Sequence, residues 1–345
     1  QAWAYGPDDT AYAGDVWFNS DGSSNFYEWT PGSYESLTAL HEIGHAIGLK
    51  HNFEASALNS TTLLGEKDSM SYTIMSYSAA PEDPTTFFSY HPTTPMVLDI
   101  AAIQYLYGKN LSYNAFSTTY NFSQAEYYHQ TIWDAGGVDT IVYTGSDSAL
   151  VDLREGHSSR LGAPIYTIDS IGNNIAQVNN IWIAFGAIIE NATGGSGADE
   201  IFGNSSNNTL DGGSGADKLH GGSGNDQYHI DTQGDLVIEN PGEGEFDTIV
   251  SSINFYLGSN IENLSLLDSG GEIFGSGNEL ANGITGNTSN NLLIGWDGDD
   301  TIQGWLGNDN LFGENGNDTL YGQDGIDYLA GGIGHDFLDG GDNPD

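Results

Sequence analysis

Apolar positions recur along this chain in two different rhythms. In the first part, Leu37, Leu40, Ile43 and Ile47 return every three or four residues behind Ser33. That stripe predicts a helix over about residues 34–48, with Ser33 as its N-cap. A second helix is predicted over about residues 95–107, "PMVLDIAAIQYLY", with Gly108 as its stop. Ahead of both, "QAWAYG" and "DVWFN" (15–19) read as short strands around the turn-rich "PDDTAYAG". From about Gly136 the pattern changes. "DTIVYTG", "ALVDL", "IYTI" and "IWIAFGAIIENA" read as strands set between glycine and asparagine turns. At Gly194 a nine-residue period begins, six glycine-rich positions followed by a triplet with an apolar centre. The change of rhythm predicts an α+β domain over residues 1–125 and an all-β domain over 126–345. The second domain has repeat blocks at 194–229 and 277–341, and a strand-like, non-repeating insert at 230–276.

Each repeat follows G-G-x-G-x-D-x-U-x, as in "GGSGADEIF" (194–202) and "GGIGHDFLD" (331–339). The apolar U residues, among them Ile201, Leu210, Leu219, Ile284, Leu293, Ile302, Leu311, Leu320, Leu329 and Leu338, are expected to point inward from short strands. The glycine-rich six form a turn that other residues follow only at a steric cost. That turn gathers backbone carbonyls and one carboxylate, and hard oxygen ligands on a flexible loop suit Ca²⁺. The pattern is that of the RTX parallel β-roll. Two repeats make one coil, so a calcium site is expected between repeats n and n+2. The candidate calcium residues are Gly195, Gly197, Asp199, Gly213, Gly215, Asp217, Gly222, Gly224, Asp226, Asp300, Asp309, Asp318, Asp327 and Asp336. Asn208, Asn282 and Asn291 hold the sixth position without a charge, where weaker or absent sites are expected. The charge balance points the same way. Lys and Arg number 6 against 48 Asp and Glu, a net charge of −42. Such a chain repels nucleic acid and anionic membranes, which argues against both as partners, and it calls for bound cations. With no cysteine, disulfides and thiolate metal sites are excluded.

Three of the nine histidines fall within "HEIGHAIGLKH" (41–51). On a helix His41 and His45 share one face. Gly48 lets the chain leave the helix and bring His51 back to the same point. Three neutral imidazoles with an open fourth position describe a catalytic zinc site. Glu42, beside the ligands, is placed to take a proton from an activated water. His91, His129, His157, His220, His229 and His335 stand apart and are expected at the surface or in turns.

This His-Glu-x-x-His-x-x-Gly-x-x-His pattern resembles the metzincin metalloproteases. That family carries a methionine turn under the metal, and "SYTIMSYS" (71–78) offers Met75 for it. The Met-Ser-Tyr sequence and the RTX tail resemble the serralysin branch, in which Tyr77 would be a further, movable zinc ligand. "DIAAIQYLYG" (99–108) and "IIENATGGSGAD" (188–199) are similar to serralysin segments as well. Serralysins follow the third histidine with Pro-Gly-Asp-Tyr. This chain has "HNFEASALN", so the loop 52–70 departs and is expected to shape the cleft. The resemblance implies a zincin-like catalytic domain followed by the β-roll. It also implies a secreted, zinc-dependent endopeptidase with one catalytic Zn²⁺ and several structural Ca²⁺. Glu42 would be the general base and Tyr77 would hydrogen-bond the developing oxyanion. Partners would be protein or peptide substrates and the type I secretion machinery of a Gram-negative bacterium, the chain itself being a monomer outside the cell. The alternative is a calcium-binding surface or adhesion module carrying an inactive or truncated protease domain. Against the family, the helix and strands ahead of Gln1 and a secretion signal after Asp345 are not in this sequence, so a processed or trimmed product is expected.

Overall fold

A computed structural model describes residues 2–7, 13–18, 29–55, 61–63 and 65–342. The middle of the predicted turn 7–14, Asn19 and residues 56–60 and 64 of the loop 52–70 lie outside the described residues. The chain divides into two compact units, residues 1–139 with 154–189, and residues 140–153 with 190–345. The division expected at 125 therefore falls elsewhere, and strand pairing gives the reason. Residues Thr140–Thr144 and Leu150–Asp152 pair with Asn191–Thr193 and Glu200–Phe202, so they open the second unit. Tyr166–Ile168 and Ile181–Ile183 pair instead with Phe87–Phe88 and Gln130–Ile132, which keeps 154–189 in the first.

In the first unit, helix α1 spans Tyr34–Ala46 and helix α2 spans Val97–Tyr107. Ser33 caps α1 by accepting the Ser36 N–H at 3.1 Å. The buried line of α1 is Leu37, His41 and Gly44, whereas Ile43 is 45 % exposed, so the predicted apolar stripe is rotated toward the histidines. Leu37 joins Met70, Ile74, Met75, Phe88, Met96, Val97, Ile165 and Trp182 in one core. Ala2–Ala4 pairs antiparallel with Val16–Phe18. His129 and His91 are buried, contrary to the surface expectation. The His129 Nδ1–H reaches the Tyr90 carbonyl at 3.0 Å and the ring packs edge-on against Phe88, a core position bought by its flat apolar faces. His157 and His335 are exposed as expected.

The second unit is a parallel β-roll. One face runs without a break through Asn191–Thr193, Thr209–Asp211, Gln227–Ile230, Thr248–Ser251, Asn263–Leu266, Gly283–Thr285, Thr301–Leu306 and Thr319–Asp324. The insert 230–276 thus does not interrupt the roll on this face. The other face is two sheets, one ending at Leu236–Ile238 and the next beginning at Phe255–Tyr256. Ile201, Leu210, Leu219, Leu293, Ile302, Leu311 and Leu320 are fully buried inside. Each contributes about 1.5–3 kcal/mol of hydrophobic stabilisation. Leu338, on the last described coil, is 44 % exposed.

Candidate metal centres

The end of α1 builds the first site. The Gly48 N–H bonds to the His45 carbonyl at 3.0 Å and the Leu49 N–H to the Gly44 carbonyl at 2.9 Å. This is a Schellman closure, with Gly48 at φ +98° as the left-handed residue that it requires. The turn reverses the chain and carries His51 back over the helix. Its Leu49 carbonyl then accepts the His45 Nδ1–H at 2.9 Å. The His41 Nδ1–H goes to the Ile74 carbonyl at 2.7 Å. With those nitrogens committed, Nε2 is the ring atom that His41 and His45 each turn inward. Burial, with His45 and His51 adding to it, pushes the His41 pKa down to about 4, so its ring is neutral at pH 7. His51 Nε2 lies 3.2 Å from His41 Nε2 and 3.1 Å from His45 Nε2. A tetrahedral ion with Zn–N bonds of about 2.0–2.1 Å has ligand edges of about 3.3 Å, so the nitrogen set fits zinc. The Tyr77 hydroxyl sits 2.7 Å from His51 Nε2, at the same focus. Glu42 is half-buried on the next position of the helix from His41.

Met75 lies beneath the helix at the position expected of it, 2 % exposed. A Cβ on Gly44 would stand 2.7 Å from Met75 Sδ, so the glycine between the two helix histidines is the space that the methionine occupies. Three residues of this site were not read from the sequence. Asp99, at the third position of α2, is buried and accepts from Thr73 Oγ1 at 2.5 Å, Ile74 N at 2.8 Å and Met96 N at 2.8 Å. Burial pushes its carboxyl up to about 6 against those three bonds. Glu54 Oε2 lies 3.0 Å from His51 Nδ1, and the Phe53 ring stacks on His51 at 5.2 Å. The only signals were an acidic residue in the first turn of a predicted helix and a divergent loop.

In the roll, each sixth-position residue lies beside its counterpart one coil away. Asp217 Oδ1 accepts the Asp199 N–H at 2.7 Å, Asp300 Oδ1 accepts the Asn282 N–H at 2.8 Å, and Asp309, Asp318, Asp327 and Asp336 repeat the bond. Buried Oδ2 atoms of Asp217, Asp226, Asp300, Asp309 and Asp318 have no hydrogen-bond partner. The asparagines differ. Asn208, Asn282 and Asn291 donate their amide N–H to the carbonyls of Glu190, Ile261 and Ile273. A carboxylate in the same turn has nothing to donate, and its bare oxygen calls for a cation. Asp199 is the exception, since its two oxygens accept from Ala149 N and Gly195 N. Burial, followed by neighbouring aspartates, pushes Asp217 and Asp300 up to about 7. A Cβ on Gly195, Gly197, Gly213, Gly215, Gly222 or Gly224 would collide with a backbone carbonyl one coil below, so the coils close up on these glycines. Both donor sets fit their metals: three imidazole nitrogens for zinc, bare carboxylate oxygens for calcium.

Comparison with known proteins places both sites in context. Residues 27–118 match the Met-zincin family model, and residues 193–228, 276–311 and 312–345 match the RTX calcium-binding nonapeptide repeat. Serralysin C of Dickeya chrysanthemi is 35 % identical over 218 residues, covering 58 % of this chain and 42 % of the relative. Serralysin G of the same organism is 36 % identical over 227 residues, 61 % of this chain and 45 % of the relative. The chain resembles a serralysin-type metzincin with RTX repeats. The Serralysin of Proteus mirabilis agrees, at 34 % identity over 231 residues and 44 % of its own length. The chain spans under half the length of these serralysins. The Met-zincin match implies zinc and the RTX match implies calcium.

Proposed function

We propose that this chain is part of a secreted zinc-dependent endopeptidase whose roll is held by calcium. The observation that carries this reading is the convergence of three imidazoles, with His51 Nε2 at 3.2 Å from His41 Nε2 and 3.1 Å from His45 Nε2, beside Glu42 and Tyr77. His41, His45 and His51 would hold the zinc, and Tyr77 would be a fourth, detachable donor. When bound, zinc supplies a Lewis acid that polarises a peptide carbonyl and acidifies the attacking water. Glu42 takes the proton from that water and delivers it to the leaving amine. The Tyr77 hydroxyl, on a side chain 53 % exposed, donates to the oxyanion that develops on the carbonyl. Burial, then Glu54 and Glu42, pushes the Tyr77 pKa above the ordinary value, which keeps the proton on the hydroxyl for that task. Residues Ala2–Ala4, paired on one side with Val16–Phe18, would offer the other side to an extended substrate. Calcium-dependent folding outside the cell fits weak, repeated oxygen sites that fill at extracellular calcium levels.

The test is Glu42→Gln assayed on casein. One zinc per chain should be retained while hydrolysis falls about 10²–10⁴-fold. Turnover undiminished in that variant removes the general-base role. Absence of hydrolysis in the zinc-loaded parent chain would favour a calcium-binding module instead.

A further inference from the structure

The end of the first repeat block departs from the nonapeptide at two positions, Tyr228 and Glu239, and the two meet beside a pair of sixth-position aspartates. Lys218–His220 pairs in parallel with Leu236–Ile238, with His220 opposite Ile238. Glu239 therefore takes the place that Gly221 holds one coil earlier. Gln227–Ile230 pairs with Thr248–Ser251, with Gln227 opposite Thr248, so Asp247 takes the place of Asp226. The inward apolar position is a tyrosine, Tyr228, fully buried, whose hydroxyl donates to Glu239 Oε1. A Cβ on Gly221 would collide with the Tyr228 hydroxyl, Asp226 Oδ2 and Glu239 Oε1. The missing side chain of Gly221 is thus the space into which these oxygens are directed.

Two of the oxygens there are bare. Asp226 is 1 % exposed; its Oδ1 accepts from Asn208 N at 2.6 Å, and its Oδ2 has no partner. Glu239 Oε2 is buried and has no partner either. Asp247 Oδ1 accepts from Asp226 N at 2.8 Å. One ligand atom from each of the three carboxylates lies within 4.8 Å of the others. Like charges at this spacing in a buried place repel strongly unless a cation lies between them. Glu239 and Asp247 lie outside the matched repeats, which end here at 228.

We propose that Glu239 is a further Ca²⁺ ligand, one that the nonapeptide does not encode, at the coil where Asp226 and Asp247 hold the sixth position, with Tyr228 orienting it. An all-oxygen set of three carboxylates selects a hard cation, and irregular spacing suits calcium better than the strict octahedron of magnesium. The site lies where the repeat stops and the roll continues into the insert. It goes beyond the protease reading and does not depend on it.

The experiment counts calcium bound at saturation by the full chain and follows Tb³⁺ emission excited through tyrosine. Glu239→Gln is the test variant, and Asp300→Asn is the control within the repeats. Circular dichroism in saturating calcium establishes that each is folded. Glu239→Gln should bind one calcium fewer than the parent, and Glu239→Gln and Tyr228→Phe should each lose part of the Tb³⁺ emission. An unchanged calcium count in folded Glu239→Gln, with a lower count in Asp300→Asn, overturns this site and leaves the repeat sites standing. Unchanged counts in both overturn this site and the calcium reading of the repeats together.

Discussion

Replacing Asp99 by alanine tests how the metal site is braced. The Asp99 carboxylate holds the Ile74 N–H, and the carbonyl of Ile74 orients His41. One residue therefore links a buried carboxylate on α2 to a zinc-facing imidazole. Three hydrogen bonds to a charged acceptor are worth about 1.5–3 kcal/mol each, or about 5–9 kcal/mol together. Against this stands the cost of burying the charge. A carboxyl still raised from 3.8 to about 6 with those bonds in place means that the burial cost exceeds them by about 3 kcal/mol. Asp99→Ala removes the buried charge together with its bonds but orphans the Ile74 and Met96 N–H groups, at about 1–3 kcal/mol each, so a loss of about 2–6 kcal/mol is expected. For a domain of roughly 150–250 residues each kcal/mol moves Tm by about 2–4 °C, so a drop on the order of 10 °C is expected. The two units need not melt together, so calorimetry is the assay, read on the transition that zinc shifts. Zinc affinity should fall by about 10–100-fold, the usual effect of removing a group that orients a ligand. An Asp99→Ala protein that melts as the parent does and binds zinc as tightly refutes the link through Ile74.

Other outcomes follow from the same geometry. Gly44→Ala places a Cβ 2.7 Å from Met75 Sδ in a closed core and should cost about 1–3 kcal/mol by calorimetry, with weakened zinc binding. Gly48 adopts φ +98° with no atom closer than 3.5 Å to an added Cβ, so the cost there is conformational. Gly48→Ala should lose about 1–2 kcal/mol and displace His51, whereas Gly48→Asn, which tolerates the left-handed region, should lose less zinc affinity. Calcium removal should strip β structure from the roll, seen by circular dichroism. In chelator, Asp217, Asp226, Asp300 and Asp309, pushed up to about 6–7, bind protons more readily in the folded roll than in the unfolded chain. Stability of the calcium-free roll is therefore present at acid pH and lost as pH rises through about 6–7. More β structure should survive chelation at pH 5 than at pH 8, and the reverse order would refute the carboxylate account.

What the sequence disclosed and what it withheld divide along the distance between partners. The zinc triad was legible because helix periodicity and one left-handed glycine fix all three imidazoles within eleven residues of chain. The regular coils were legible because a constant step of nine residues makes every turn the template of the next. Asp99 was not, since two of its three partners lie 25 and 26 residues away and only the packing of α2 brings them together. Residues 140–153 were placed with too little precision for the same reason, because Thr140–Thr144 finds its partner about fifty residues later. The insert shows the limit most clearly. Its inward residues stack as Tyr228, Ile249, Leu264 and Ile284, in steps of 21, 15 and 20 residues instead of 18. A roll needs only that each strand meet the edge of the one before it. The turns between strands are free to vary in length, and with unequal turns the period vanishes from the sequence while the sheet persists. Calcium geometry is stricter than sheet geometry, because the ligands sit in the turns. A coil of irregular length must therefore recruit oxygens from new positions, and Glu239, standing where a repeat has glycine, is such a recruit.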